Sequence, residues 1–442
     1  MLIIIYLFIT IGIIVFATAK YKIHPFLILI LASLTMGLLG GLDTEKIIIS
    51  LSEGFGNTLK NIGIVIACGS IIGVFLEKTG GAKSIAESTL KAIGKDNSPL
   101  AMNITGFFVS IPVFCDSGYV ILSTLNKAIN RKTGISLAVL GTSLSAGLYA
   151  AHVFVPPTPG PLASASILGA DIGLVLIFGF LIAIPVSLVG WLWSIYYCSK
   201  FSINAEVNQI NVEKDKNQSS NLFSALLPII IPIILISLNS LMDHPTTNFE
   251  NIQIQILISF FGHPIIAILS GVIISILLAK DYSLENHYDW FSDGLKAAGS
   301  IILITGAGGA FGNILRSISL GDYLSQILMG YEIGLFLPFI IAALLKTAQG
   351  SSTVSIITTS AMVLPLLNTL GLSSEMGKVI AVLSIGAGAM TFSHLNDSYF
   401  WVVAQFSNMD TNTAIRCHAV TTLLQGATAI ILIQLLSMFF LP

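Results

Sequence analysis

Residues Leu59-Lys-Asn-Ile-Gly-Ile-Val-Ile-Ala-Cys-Gly-Ser-Ile-Ile-Gly-Val-Phe75 and Leu295-Lys-Ala-Ala-Gly-Ser-Ile-Ile-Leu-Ile-Thr-Gly-Ala-Gly-Gly-Ala-Phe311 follow one pattern. Leu59-Lys60, Gly63, Gly73 and Phe75 reappear as Leu295-Lys296, Gly299, Gly309 and Phe311, each 236 residues further along. Both stretches are apolar and rich in small residues, the composition of a helix that packs closely against other helices in a bilayer. One helix therefore occurs twice. Small-residue helices also resemble one another by chance, so the direction in which each copy crosses the membrane has to be argued separately.

The basic residues supply that direction. With the N-terminus outside, a first span delivers Lys20 and Lys22 to the cytoplasm, a second over 24–42 returns outward, and a third over 58–77 comes back to Lys78, Lys83, Lys91 and Lys95. Next comes an apolar stretch over 100–126, followed by Lys127, Arg131 and Lys132, so a single crossing would leave basic loops on opposite sides. A hairpin that enters and leaves on one side resolves this. Its middle, Ile111-Pro-Val-Phe-Cys-Asp-Ser-Gly-Tyr119, holds helix breakers that are tolerated at membrane depth only beside a cavity. Spans over 135–155 and 168–198 lead to a hydrophilic segment, 199–221, whose Lys200, Lys214 and Lys216 place it in the cytoplasm. Spans over 222–242 and 256–279 bracket an external loop with Asp243, His244 and Glu250 and return the chain to Lys280. The first copy thus runs inward and the second outward, the inverted relation that many secondary transporters use.

Composition agrees. The chain has 442 residues, 54% hydrophobic and 10% charged, where a soluble domain carries about 25% charged. Apolar runs of about 20 residues, at 1.5 Å per residue, cross a hydrocarbon core of about 30 Å. The fold class expected is an all-α polytopic membrane protein with two inverted-topology repeats, an N-terminal half over 1–198, the linker 199–221 and a C-terminal half over 222–442. A net charge of −2 with no basic stripe excludes nucleic acid as a partner; the partner is the lipid bilayer. Cys68, Cys115, Cys198 and Cys417 stand singly and read as bland thiols, with no metal or cofactor implied. Residues 2–19 lack a basic n-region and read as an uncleaved first helix rather than a signal peptide.

Polar groups that interrupt apolar runs are site candidates, because they are costly at membrane depth. In Cys115-Asp116-Ser117-Gly118, Asp116 is placed to take up and release a proton and Ser117 to bind substrate; the plainer reading is a solvated hairpin tip. His152-Val-Phe-Val-Pro-Pro-Thr-Pro-Gly-Pro161 cannot be regular helix; its carbonyls and Thr158 face a substrate or gate, unless it is simply an external turn. Lys346-Thr-Ala-Gln-Gly-Ser-Ser-Thr-Val354 offers Gln349, Ser351, Ser352 and Thr353, and a half-helix starting there points its positive end at an anion. Ser393-His-Leu-Asn-Asp-Ser398 offers Asn396 and Ser398 to a substrate, with His394 and Asp397 as a proton-relaying pair or, alternatively, a structural one. His152 is a further proton-coupling candidate. A looser echo links Ser143-Leu-Ser-Ala-Gly147 to Ser384-Ile-Gly-Ala-Gly388. Asn57, Asn61, Asn313, Arg316 and Glu77 are weaker candidates, Glu77 reading as an interfacial partner of Lys78. No deep arginine is available to clamp a carboxylate.

Gly54-Phe-Gly-Asn-Thr, Leu76-Glu-Lys-Thr-Gly-Gly-Ala82, the Pro-Pro-x-Pro-Gly-Pro run at 156–161, Ala348-Gln-Gly-Ser and Asn396-Asp-Ser-Tyr-Phe-Trp401 together resemble the gluconate permease family of sugar-acid:proton symporters over nearly the full length. The resemblance implies proton-coupled import of gluconate or a related aldonate across the bacterial inner membrane. It also implies a scaffold plus a mobile transport domain, two re-entrant hairpins and a homodimer. Two departures, Thr158 where gluconate carriers have histidine and Asp116-Ser117-Gly118 where they have an acidic residue, valine and glycine, point towards shorter acids such as glycerate, erythronate or threonate. Sodium coupling is the nearest alternative, since Asn, Asp and unwound carbonyls bind sodium as readily as they pass protons. A membrane hydrolase would need a nucleophile and base or metal-ligand spacing that this sequence does not contain. A channel would need a repeated selectivity ring.

Overall fold

The computed structural model describes the chain except residues 1, 20, 22, 95–96, 206–221, 243–251, 280–282, 319–333, 396 and 442. Most of the expected cytoplasmic linker and external loop, with Lys214, Lys216, Asp243, His244 and Glu250, lies outside the described residues. The first repeat comprises α1 (Leu2–Ala19), α2 (Pro25–Leu39), α3 (Thr44–Lys78), α4 (Gly81–Ile93), α5 (Ser98–Val109), α6 (Cys115–Thr133), α7 (Leu137–Phe154), α8 (Pro159–Leu168) and α9 (Ile172–Tyr196). The second comprises α10 (Leu222–Met242), α11 (Ile252–Gly262), α12 (Pro264–Leu278), α13 (Leu284–Ser317), α14 (Phe336–Gln349), α15 (Ser352–Val363), α16 (Glu375–Met390), α17 (Ser398–Phe406) and α18 (Thr411–Phe440). Among the described residues five helices are long and apolar enough to cross a membrane, seven if each bent pair is one span.

The copied helices are α3 and α13, and they pack against each other along their length. Asn313 Nδ2 donates to the Ser50 carbonyl at 2.8 Å, the hydroxyls of Ser50 and Ser317 meet at 3.0 Å, and Phe75 packs edge-on against Trp290. Early residues of one thus meet late residues of the other. The two copies are antiparallel, as the charge argument requires. The α3 helix is longer than the span over 58–77 expected from hydropathy, because Asp43 caps it by accepting from Lys46 N at 2.7 Å. Its polar first part, with Glu45 and Glu53, stays helical outside the apolar window and meets the rest at a 46° bend after Asn61. Likewise the span expected over 256–279 is broken by 69° between Gly262 and Pro264, since proline cannot continue a helix.

Both hairpins form. Ser143 Oγ donates to the Pro99 carbonyl at 2.5 Å and Asn103 Nδ2 donates to the Ser143 carbonyl at 3.0 Å, while a Cβ on Gly106 would meet Leu144 and Leu148, so α5 and α7 run parallel. Gly118 faces Leu148, and Asn130 Nδ2 reaches the Ile135 carbonyl at 2.8 Å, so α6 runs against α7. The chain therefore enters and returns through residues 110–114. In the second repeat Ser384 Oγ donates to the Leu335 carbonyl at 2.5 Å, and Ser355 Oγ donates across to the Ala342 carbonyl at 2.7 Å.

The looser echo has a structural meaning. Ser143 and Ser384 bond the carbonyls of Pro99 and Leu335, which open the two hairpins 236 residues apart. Gly147 and Gly388 lie against the carbonyls of Asn103 and Phe339, also 236 apart, where a side chain would collide. Each repeat docks its hairpin on its broken span through the same serine and the same glycine.

That broken span then leans on the other repeat. The α8 half packs on α15 through Ser360 Oγ and Ser164 Oγ at 2.7 Å, and the α17 half packs on α6, with Tyr119 hydroxyl and Ser407 Oγ at 2.5 Å. Two apolar cores result. One gathers the hairpin and broken helices with α9 and α18; the other gathers α1 to α3 with α12 and α13.

Candidate functional site

The second hairpin turns at Gly350, whose φ of +81° favours a residue without Cβ. That turn folds Lys346 Nζ back onto the Gly350 carbonyl at 2.9 Å, where a cation offsets the negative end of α14. The same ammonium meets Asp397 Oδ2 at 2.5 Å. Lys346 is 1% exposed and Asp397 3%. Among the described residues this is the one buried ion pair.

Asp397 caps α17, its Oδ1 accepting from Tyr399 N at 3.0 Å, and it occupies the break that follows α16. Ser393 Oγ donates to its Oδ2 and also meets His418 Nε2 at 3.2 Å. His418 Nδ1 then meets Ser145 Oγ at 3.2 Å, so a chain of hydrogen bonds runs from Asp397 across α18 to α7. Tyr149 covers the pair from α7, its ring centroid 5.7 Å from Lys346 Nζ. His152 stacks on Tyr149 with centroids 6.4 Å apart, is 6% exposed, and its Nδ1 has no partner among the described residues. Tyr399 hydroxyl donates to the Ser145 carbonyl at 3.2 Å, completing an aromatic wall.

The residues singled out from sequence fall at the tips of both hairpins and at both breaks. Asp116 and Ser117 are half-buried in the first turn of α6, and Asp116 Oδ1 has no partner among the described residues. Thr158 is buried, its Oγ1 donating to the Val155 carbonyl at 2.5 Å, and lies in a narrow cleft between the first hairpin's tip and Gly69 of α3. The Pro156–Pro157 bond is cis. Ser351 caps α15 by accepting from Val354 N at 3.3 Å; Ser352 is buried and Thr353 half-buried in its first turn. Gln349 ends α14, Ser398 is exposed at the start of α17, and Asn396 lies outside the described residues. Of the weaker candidates, Asn57, Asn61 and Arg316 are exposed and Glu77 is half-buried, while Asn313 joins α13 to α3.

One expectation needs correction. His394 and Asp397 do not pair through their side chains: the ring of His394 reaches the Thr347 carbonyl at 3.1 Å, because the turn that bonds Asp397 N to the His394 carbonyl points the two side chains apart. Asp397 takes Lys346 instead. Arg131, Arg316 and Arg416 are exposed, so no arginine lies deep, but Lys346 supplies a deep cation in its place. Lys346 was readable as one, since it ends the apolar run Phe336–Leu345 and a charge there is costly unless paired. His418, Tyr149 and Ser145 carried no comparable signal.

The sequence matches the model of the GntP family permease over residues 1–439. A gluconate permease of Pseudomonas aeruginosa is 31% identical over 97% of this chain and 96% of its own. The D-serine transporter DsdX of Escherichia coli is 31% identical over 96% of each chain. The solved structure of the Alcanivorax borkumensis YdaH transporter, described as having an unusual topology, shares the fold with a TM-score of 0.61 at 16% identity, over 91% of this chain and 90% of that one. A chain whose described elements are helices, with an antiparallel pair of copied helices, a buried ion pair between a hairpin and a broken span, and a full-length family match belongs to the GntP family of permeases, multi-pass proteins of the bacterial inner membrane.

Proposed function

We propose that this permease imports gluconate or a related small hydroxylated carboxylate together with a proton. The observation that carries the reading is Lys346, a buried cation beside the N-terminus of α15, where Ser351 and Ser352 add hydroxyls and backbone N–H groups. An ammonium excluded from water is a strong anchor for a carboxylate once its own carboxylate partner yields. Ser117, Thr158, Gln349, Thr353, Asn396 and Ser398, on the two tips and two breaks, are the hydroxyl-binding candidates. Asp397 leads the proton-coupling candidates, with Asp116, His152 and His394 behind it. The halves 1–198 and 222–442 act as the inverted repeats, joined by the cytoplasmic segment 199–221, in a homodimer.

The similarity to a D-serine transporter favours a second reading, a short hydroxylated amino acid. Its ammonium group would require the free carboxylate of Asp116 as counter-ion. Uptake of labelled gluconate into proteoliposomes, competed by unlabelled glycerate, threonate, D-serine and citrate, separates the two. Competition by sugar acids alone supports the first reading; competition by D-serine alone replaces it with the second.

A further inference from the structure

We infer that Lys346 and Asp397 form the coupling device itself: a proton that neutralises Asp397 releases the Lys346 ammonium to the substrate carboxylate. The inference rests on the transport reading above. Lys346 Nζ spends two of its three donors on the Gly350 carbonyl and Asp397, so little of it is left for a substrate while Asp397 is charged. Asp397 in turn is held by Lys346, Ser393 Oγ and Tyr399 N. Its strongest partner is the group a substrate anion would claim. Two carboxylates and one ammonium in a water-excluded site leave one uncompensated negative charge, which such an environment penalises.

Charge balance makes this an obligatory exchange. The empty site holds Lys346 as ammonium and Asp397 as carboxylate. The loaded site holds the same ammonium, the substrate carboxylate, and Asp397 with a proton taken from water on its carboxyl oxygen. Both are neutral. Substrate alone leaves the site with a net negative charge, and a proton alone leaves it positive, so neither crosses readily by itself.

Ser393, His418 and Ser145 are hydrogen-bonded in series behind Asp397 and are themselves fully buried, so a proton on Asp397 has polar partners on that side within the fold. The other titratable groups facing the pair are Cys115 and Asp116 at the first hairpin, Tyr149 and His152 on α7, and Tyr399 on α17. Asp116 is the one competing carboxylate among them. It makes no contact with Lys346 among the described residues, which is why Asp397 is assigned the exchange.

Purified protein mixed with gluconate in weakly buffered solution containing a pH indicator tests this directly. About one proton taken up per gluconate bound supports the exchange. Gluconate binding without proton uptake overturns it and leaves the transport reading intact; absence of binding by gluconate, glycerate and threonate, each mixed in turn, overturns both. Asp397→Asn gives an independent check, since a neutral amide imitates the protonated acid. Its gradient-driven accumulation falls about tenfold or more, while gluconate exchange across liposomes continues and no longer declines as pH rises. Uphill accumulation by Asp397→Asn, or the same outcome from Asp116→Asn with Asp397→Asn unaffected, contradicts the assignment.

Discussion

A lysine ammonium 1% exposed inside an apolar fold holds its charge only while something answers it, and at Lys346 that something is Asp397 at 2.5 Å. Lys346→Met leaves a buried carboxylate with Ser393 and Tyr399 N alone, so thermal melting in detergent should show a loss of about 3–5 kcal/mol. Lys346→Met combined with Asp397→Leu should recover most of that stability, because removing both charges of a buried pair is often near neutral. Transport stays absent in both. Asp397 was legible in the sequence as a carboxylate at an interrupted apolar run. Lys346 was harder to read, because it stands beside Gln349-Gly350-Ser351 and passes for a cation at a helix end. Its burial follows from the turn at Gly350 and from the break before α17, which closes over it. His418 was invisible for a related reason: its role depends on Ser393, 25 residues away in sequence and 3.2 Å away in space.

Helices meet in this fold through glycines that serve as contact points rather than as breaks. Adding a methyl at Gly147 or Gly388 drives it into the carbonyl of Asn103 or Phe339, so Gly147→Ala and Gly388→Ala should each destabilise by about 1–3 kcal/mol and uncouple a hairpin from its broken span. Gly299 is the control. Nothing lies within 4 Å of a Cβ there, and Gly299→Ala should be neutral or stabilise α13 by up to about 1 kcal/mol. The looser echo was visible in sequence because each repeat keeps a glycine where its broken span meets a hairpin carbonyl. Pro112 and the basic loops on either side made the first hairpin visible, and the polar run around Gly350 marked the second. What stayed hidden was the length of α3 beyond its apolar window, set by the Asp43 cap, which hydropathy does not register, and the break at His263, where Pro264 interrupts a run that is apolar on both sides. If α3 and α13 form a fixed frame, a disulfide between Ser50→Cys and Ser317→Cys, whose hydroxyls now lie 3.0 Å apart, should form on mild oxidation and leave uptake intact. Loss of uptake on cross-linking, restored by reduction, would show instead that these helices move against each other.

Across the whole molecule, each repeat's hairpin is docked on its own broken span while that span leans on the hairpin of the other repeat, through α8 with α15 and α17 with α6. The ion pair lies within the second repeat, with Lys346 from its hairpin and Asp397 from its broken span, so the two move as one docked unit. A neutral site in both the empty and the loaded state makes the cycle electroneutral for a monoanion. Uptake should then respond to a pH gradient and ignore a potassium–valinomycin potential of either sign. The most direct test is accumulation of labelled gluconate in proteoliposomes with an acidic exterior, the potential clamped to zero and sodium absent. The account predicts uptake above the external concentration that a protonophore collapses; gluconate accumulation that requires sodium, or that follows the potential with no pH gradient, would contradict it.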